Sequence, residues 1–440
     1  MMFLMIATAV IAAPAAQAQE QTPAVITLEQ ALEIALSENV SVKVADKEIE
    51  RSEYAKKGTY ASLFPQIDAS GSYQRTIQKQ RMYVDIPGME DGMEVGRWNS
   101  WSGGVSASLP LVNAQLWKSI QISGQDVELA VEKARSSRLD MVTQVKNAFY
   151  AVLLSKELTD VYKTVYENAQ ANLEQTQKRY NVQKASEMDL VRAKANLANA
   201  IPNLYDSQNA VAIALWQLKA VIGLDLDEDI DVAGSLSDYE SQMLSSINEG
   251  ENATLENNST LKQLEIQSEE LANAVKAQKY AYLPSLALAF NYSLTATDNS
   301  YNFSEYRWSP YSMVGLSLSI PIFSGGRRHA SVKQSQIQRD EFELQRQDTE
   351  RQLKIGLRKT INTMETNMKS YYAAKDAMQT AQKAFDIAQR SYNVGRSTLT
   401  DLNDAQLVLV QSQLNVNQSI YAFLVAKSSL EQMLGYDFEK

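Results

Sequence analysis

The sequence predicts a mostly α-helical fold with a small β part, built twice over. Three observations predict it: two segments of apolar alternation, long stretches with a sustained three-and-four apolar spacing, and a displacement of 212 residues that maps one half of the chain onto the other. Alternation with a period of two is a strand with two unlike faces, whereas the 3,4 spacing is a helix that buries one stripe. Duplication turns these pieces into one unit of helix, hairpin, long helix, turn and long helix, used two times.

In chain order, residues 1–18, MMFLMIATAVIAAPAAQA, carry no charge and end in Ala16-Gln17-Ala18, the form of a signal-peptidase site, so the mature chain is expected to start near Gln19. The first repeat is expected over 19–222. Thr27 and Gln30 form a capping box for a helix whose Leu28, Leu32, Ala35 and Leu36 share a face, and a second helical stretch runs to about Leu63. A hairpin about 66–110 follows. Ile67, Ala69, Gly71 and Tyr73 give it a weak apolar face, a polar loop runs from Gln78 to Arg97, and Trp101, Val105, Ala107 and Leu109 alternate with serines up to Pro110.

Long helices are expected over 113–180 and 186–222. At 68 residues the first would be on the order of 100 Å long. In the second, Leu190, Ala193, Leu197, Ala200, Leu204, Ser207, Val211, Ala214, Leu218 and Val221 keep the coiled-coil step, and Pro202 is expected to bend the helix. Residues 223–258 lose the periodicity and read as an insertion packed on the helices or a loose linker. Their run Asp225, Asp227, Glu228, Asp229 and Asp231 lacks the glycine and terminal glutamate of a calcium loop and reads as solvated acidic surface.

The second repeat is expected over 259–440. After its first helix, a hairpin about 285–321 puts Leu286, Leu288, Phe290, Tyr292 and Leu294 on one face and Ala287, Ala289, Asn291, Ser293 and Thr295 on the other, then resumes with Val314, Leu316, Leu318 and Ile320. Roughly ten-residue strands with aromatics near their ends (Tyr306, Trp308, Tyr311, Phe323) suit a transmembrane hairpin with its apolar face in lipid, although a soluble sandwich shows the same alternation. Prolines stand at the four strand-to-helix junctions: Pro65, Pro110, Pro284 and Pro321. Long helices are expected over 326–394 and 398–434, the latter repeating the coiled-coil step at Leu402, Ala405, Leu409, Ser412, Val416, Ser419, Phe423, Ala426, Leu430 and Met433.

Composition narrows the function. A formal charge of -10 from 42 basic and 52 acidic residues argues against nucleic acid, and zero cysteines exclude disulfides and thiolate metal sites. With His329 as the only histidine, neither a histidine-based triad nor a His/Cys metal centre can be assembled within one chain, so no catalytic residue, metal or cofactor is expected. Four strands in lipid cannot close a barrel alone, and open edges are not tolerated there. Copies must therefore pair: two would give eight strands with a filled interior, and three would give twelve strands and a lumen that long helices could continue as a tube.

The duplicated layout, the segment SIPIFSGGRR from Ser319 to Arg328, and the turns RYNVQKASEMDL (Arg179 to Leu190) and SYNVGRSTLTDL (Ser391 to Leu402) resemble the TolC-type outer membrane efflux proteins over essentially the whole mature chain. The resemblance implies a homotrimer: a 12-stranded transmembrane β-barrel in outer membrane lipid, two hairpins per chain, continued by a periplasmic α-barrel. It implies a passive exit duct, not an enzyme, that docks onto a periplasmic adaptor (membrane fusion) protein and an inner-membrane transporter of RND or ABC type. It places Asn181, Val182, Ala185, Ser186, Asn393, Val394, Gly395, Ser397, Thr398 and Asp401 at the adaptor-contacting tip, and Asp189, Tyr392 and Asp404 at a channel gate. The family's gating arginine matches Ser397 rather than the adjacent Arg396, and an attraction between Arg192 and Asp404 is the expected substitute. The other reading is a periplasmic coiled-coil tether or scaffold whose hairpins pair in a soluble sheet.

Overall fold

A computed structural model describes residues 24–83, 92–245 and 253–436; the expected signal peptide and part of the Gln78 to Arg97 loop lie outside them. The chain is mostly helical. It divides into two compact units, one of residues 1–39, 141–251 and 363–428, the other of residues 40–140, 252–362 and 429–440, so each draws on both sequence copies. Among the described residues no helix is long and apolar enough to cross a membrane, a finding that says nothing of a β-barrel.

The second unit holds helix α2 (Val40–Ala61), strands β2 (Gln66–Arg75), β3 (Gln80–Met82), β4 (Met93–Val95) and β5 (Asn99–Val112), helix α6 (Ser259–Tyr280), and strands β7 (Ser285–Asp298) and β8 (Ser309–Ser319). The two expected hairpins join into one four-stranded antiparallel sheet of order β2-β5-β7-β8, leaving β2 and β8 as its edges. Its register aligns every apolar alternation. Tyr73 pairs with Trp101, Ala107 with Phe290, and Phe290 with Val314, putting all of them on one face. Ser72, Ser102, Thr295 and Ser309 line the other, again in register. The apolar face is bare in the single chain: Val314 and Leu316 are 69 % and 68 % exposed.

Three expectations about the hairpins change. Strand β5 does not stop at Pro110; it runs to Val112 through a register shift at Pro110, where the missing N–H is accommodated as a bulge. The polar loop is not plain, because β3 and β4 form a small antiparallel pair in it. Tyr306 and Tyr311 do not join an apolar girdle. Tyr306 is buried in its loop, donating its hydroxyl to Ser300 O at 2.7 Å, and Tyr311 pairs with Ser293 on the polar face.

The first unit contains strand β1 (Ala24–Ile26), helix α1 (Leu28–Glu38) with the expected capping box, helix α4 (Glu187–Ile222), strand β6 (Ile230–Val232) and helix α5 (Glu240–Ser245). Helices α3 (Ala114–Asn181), α7 (Arg327–Asn393) and α8 (Leu399–Leu434) are each divided between the units. None of the twenty coiled-coil positions in α4 and α8 is exposed, as a buried stripe requires. Helix α4 runs unbroken through Pro202. The described part of 223–258 is packed rather than loose. Strand β6 pairs parallel with β1, Lys156 Nζ reaches Val232 O at 2.9 Å, and Lys375 Nζ meets Glu240 Oε2 at 2.6 Å. The bond to Glu240, then that to Tyr371, pushes the Lys375 ammonium above its ordinary range.

Helices α4 and α8 both end on a left-handed glycine, Gly223 at φ 84° and Gly435 at φ 69°. Their surroundings differ. A Cβ on Gly435 would lie 2.1 Å from Asn257 O, whereas one on Gly223 would find nothing nearer than 3.4 Å. Gly435→Ala is therefore expected to cost at least about 2 kcal/mol through backbone collision added to dihedral strain, and Gly223→Ala about 1 kcal/mol from strain alone. Thermal melting of the two variants followed by circular dichroism checks the ranking.

Candidate functional site

The helical turns joining α3 to α4 and α7 to α8 lie together in the first unit, and their backbone geometry is the same. Each helix ends in a paired six-to-one and five-to-two hydrogen bond: Lys184 N to Arg179 O and Gln183 N to Tyr180 O in the first, Arg396 N to Ser391 O and Gly395 N to Tyr392 O in the second. The residue closing the turn is left-handed in both, Gly395 at φ 76° and Gln183 at φ 57°. Glutamine therefore does not alter the turn; it holds the same shape under strain that glycine lacks.

The returning helices begin alike. Ser186 Oγ accepts from Asp189 N at 3.1 Å and Thr398 Oγ1 from Asp401 N at 3.2 Å, while each carboxylate accepts back from the cap's backbone N–H and hydroxyl. Thr398, not Ser397, is the cap. Ser397 instead donates to Ala388 O at 3.4 Å. The backbone N–H of Thr398, then its hydroxyl, holds the Asp401 carboxyl below its ordinary range. Because the folded value lies below the unfolded one, this contribution is complete above about pH 4 and is lost as the pH falls through the lowered value. Amide-exchange protection at Thr398 to Leu402, corrected for intrinsic rates, is expected to fall in acid, and Asp401→Asn is expected to remove that dependence.

Between the turns runs a seam. Tyr392 is buried, its hydroxyl 2.9 Å from Thr176 Oγ1. Arg179 donates to Tyr392 O at 3.0 Å and Asn393 O at 2.7 Å, and its guanidinium stands 4.7 Å from the Tyr392 ring centre. A cation bound to the last carbonyls of α7 is favoured by the helix dipole and by the ring face. Gln175 Nε2 adds a bond to Asn393 Oδ1 at 3.1 Å. Below lies a core of Ala193, Phe385, Leu399, Leu402 and Leu409.

Of the expected gate residues, the structure brings Tyr392 into this seam and Asp189 into a helix cap. Arg192 does not meet Asp404: its guanidinium donates to Thr400 Oγ1 at 2.9 Å, one helical turn short, and Asp404 is exposed. Arg396 is exposed, as are Asn181, Ser186 and Asn393, while Ala185 is half-buried. Val182 and Val394 expose apolar surface at the ends of the turns. Sequence reasoning missed Thr176 and Arg179 as seam residues; the one signal was that Arg179 breaks an otherwise matched repeat, facing Ser391 across the 212-residue displacement.

Also missed is a groove of about 390 Å³ beside the turns, between α3, α4 and α8. Asn196, Asn199 and Asn203 of α4 face Asn403 and Gln406 of α8 there, over an apolar floor that includes Val165 and Val410. Its sequence signal is the three-then-four spacing of the α4 asparagines. Among the described residues no group of three His, Cys, Asp or Glu side chains is placed to hold a metal ion.

The outer membrane protein TolC of Salmonella enteritidis is 22% identical over 382 residues, spanning 85% of this chain and 74% of that protein. The toluene efflux pump outer membrane protein TtgC of Pseudomonas putida is 23% identical over 422 residues, spanning 93% and 82%. The outer membrane protein VceC of Vibrio cholerae superposes with a TM-score of 0.73 at 16% identity, covering 94% of this chain and 97% of that one, which shows the fold. The profile of the outer membrane efflux protein family matches residues 31–224 and 252–436. With both matched stretches covering the two repeats, the chain belongs to the outer membrane efflux protein family.

Proposed function

We propose that three copies of this chain form the exit duct of a tripartite efflux or secretion system, conducting its cargo passively and without enzymatic chemistry. The observation that carries the proposal is the four-stranded sheet with one apolar face, one hydroxyl-rich face and two unpaired edges. In lipid, unpaired N–H and C=O groups cost several kcal/mol each, so β8 of one copy pairs with β2 of the next. Three copies close twelve strands around a lumen lined by Ser72, Ser102, Asn291 and Ser317, with Pro65, Pro284 and Pro321 where the wall passes between strand and helix and Pro110 inside β5, two residues before its end. The helices continue that wall into the periplasm.

The turns form the periplasmic end. Tyr392, with Arg179, holds it shut, and exposed Asp404 repeats around the threefold axis to favour cations. Asn181, Val182, Ala185, Ser186, Asn393, Val394, Gly395, Ser397, Thr398 and Asp401 present the surface met by a periplasmic adaptor, which links the duct to an inner-membrane transporter. The neighbouring amide groove supports this: amides that both donate and accept, above an apolar floor, suit a packed partner helix.

The chain has no cysteine, so Thr398→Cys supplies a unique thiol. Photo-crosslinking from that position in intact cells is expected to capture an adaptor on the duct, and the reading fails if only copies of the chain itself are recovered. In planar bilayers Asp404→Ala is expected to lower cation preference several-fold; unchanged selectivity would remove Asp404 from the gate.

A further inference from the structure

The geometry points to a lipid-binding site on the apolar face of the sheet: a hollow beside Gly71 and Gly103 that seats one acyl chain per protomer. This inference rests on the proposed membrane placement of that face.

The hollow, of about 450 Å³, is walled by Tyr73, Trp101, Val105, Tyr292, Leu294 and Trp308. It exists because two glycines pair directly. Gly71 stands opposite Gly103, with Tyr73 opposite Trp101 on one side and Ala69 opposite Val105 on the other. The rings of Tyr73 and Trp101 stack at 4.4 Å and form a wall, and the Tyr73 hydroxyl is already engaged with Asn99 Oδ1 at 2.9 Å. No charged side chain lines the space.

The backbone does not require these two glycines. A Cβ on Gly71 would meet nothing within 4 Å, one on Gly103 only Ser70 O at 3.7 Å, and neither residue has a positive φ. Gly104 differs, since its Cβ would lie 2.5 Å from Tyr292 O. Glycine weakens a strand and leaves it nothing to pack, so a pair that the chain geometry does not demand marks the space itself as the feature. An apolar trough continuous with a lipid-facing surface is filled by hydrocarbon, and an outer membrane supplies that as lipid chains.

The test uses protein with Trp101 as its only tryptophan, the others changed to phenylalanine, titrated in detergent with phosphatidylethanolamine carrying dibrominated acyl chains. Quenching is expected to saturate near one lipid per chain. Gly71→Leu, whose Cβ meets nothing within 4 Å, is expected to weaken the saturable phase at least tenfold, and Gly71→Ala by a smaller factor should the larger side chain prevent assembly. Quenching that rises without saturation, or that Gly71→Leu and Gly71→Ala leave unchanged, overturns the site, including the case in which a neighbouring copy fills it. A separate probe, Leu316→Trp as the only tryptophan, in vesicles of the same lipid, reads the membrane placement alone. If Leu316→Trp is quenched and Trp101 shows no saturable phase, only the hollow fails; if Leu316→Trp is not quenched, the placement falls with it.

Discussion

Val314→Arg is expected to abolish insertion, whereas Ser317→Arg, three residues further along the same strand, is expected to leave it nearly intact. Val314 stands at the middle of β8 on the apolar face, opposite Phe290, and Ser317 points to the other side, opposite Ala287. Arginine near the bilayer midplane costs about 2–4 kcal/mol on a barrel's lipid face and is tolerated in a water-filled lumen. In the proposed trimer every chain carries that cost. Membrane fractionation together with heat-modifiable migration on gels measures the outcome. Equal behaviour of the two variants would contradict a sheet with lipid on one side and water on the other.

Arg179→Ala is expected to raise the resting conductance. The guanidinium makes two bonds to the carbonyl end of α7 and lies against the Tyr392 ring. Charge-assisted bonds of this type contribute about 1.5–3 kcal/mol, and losing about 2 kcal/mol at the seam multiplies an open-to-closed ratio by about thirty. Tyr392→Phe, which removes only the hydroxyl contact with Thr176, is expected to cost about 1 kcal/mol and to change the ratio roughly fivefold. Single-channel recordings in planar bilayers separate the two. Wild-type conductance in Arg179→Ala would show that this seam does not hold the end closed.

What could be read before the structure was what periodicity encodes. The faces of β7 and β8 follow from Leu286 to Leu294 and Val314 to Leu318, and the coiled-coil stripes from Leu190 and Leu402 onward, because side-chain direction along a strand or helix is fixed by the backbone repeat. The Thr27 box was equally plain, since a cap and its partner lie three residues apart. Pairings across the chain were not. Strands β1 and β6 have three residues each and lie some two hundred apart, too short for any alternation to register. Arg179 could not be aimed at Tyr392, nor Arg192 at Thr400 rather than Asp404, without the rotation of one helix against another. Nor does glutamine at position 183 announce a left-handed turn, because residue type shows only a preference for φ and a helix end can impose the angle regardless.

The copies that make up this chain are not equivalent where it matters mechanically. Arg179 fastens the first tip to the second within a molecule, and its counterpart Ser391 has no guanidinium with which to fasten the second tip to the next molecule. In the proposed ring of three, this guanidinium latch recurs once within each molecule, and Ser391 supplies no second one. In such a ring a widening of the mouth that parts Tyr392 from Arg179 has to break those bonds inside each molecule.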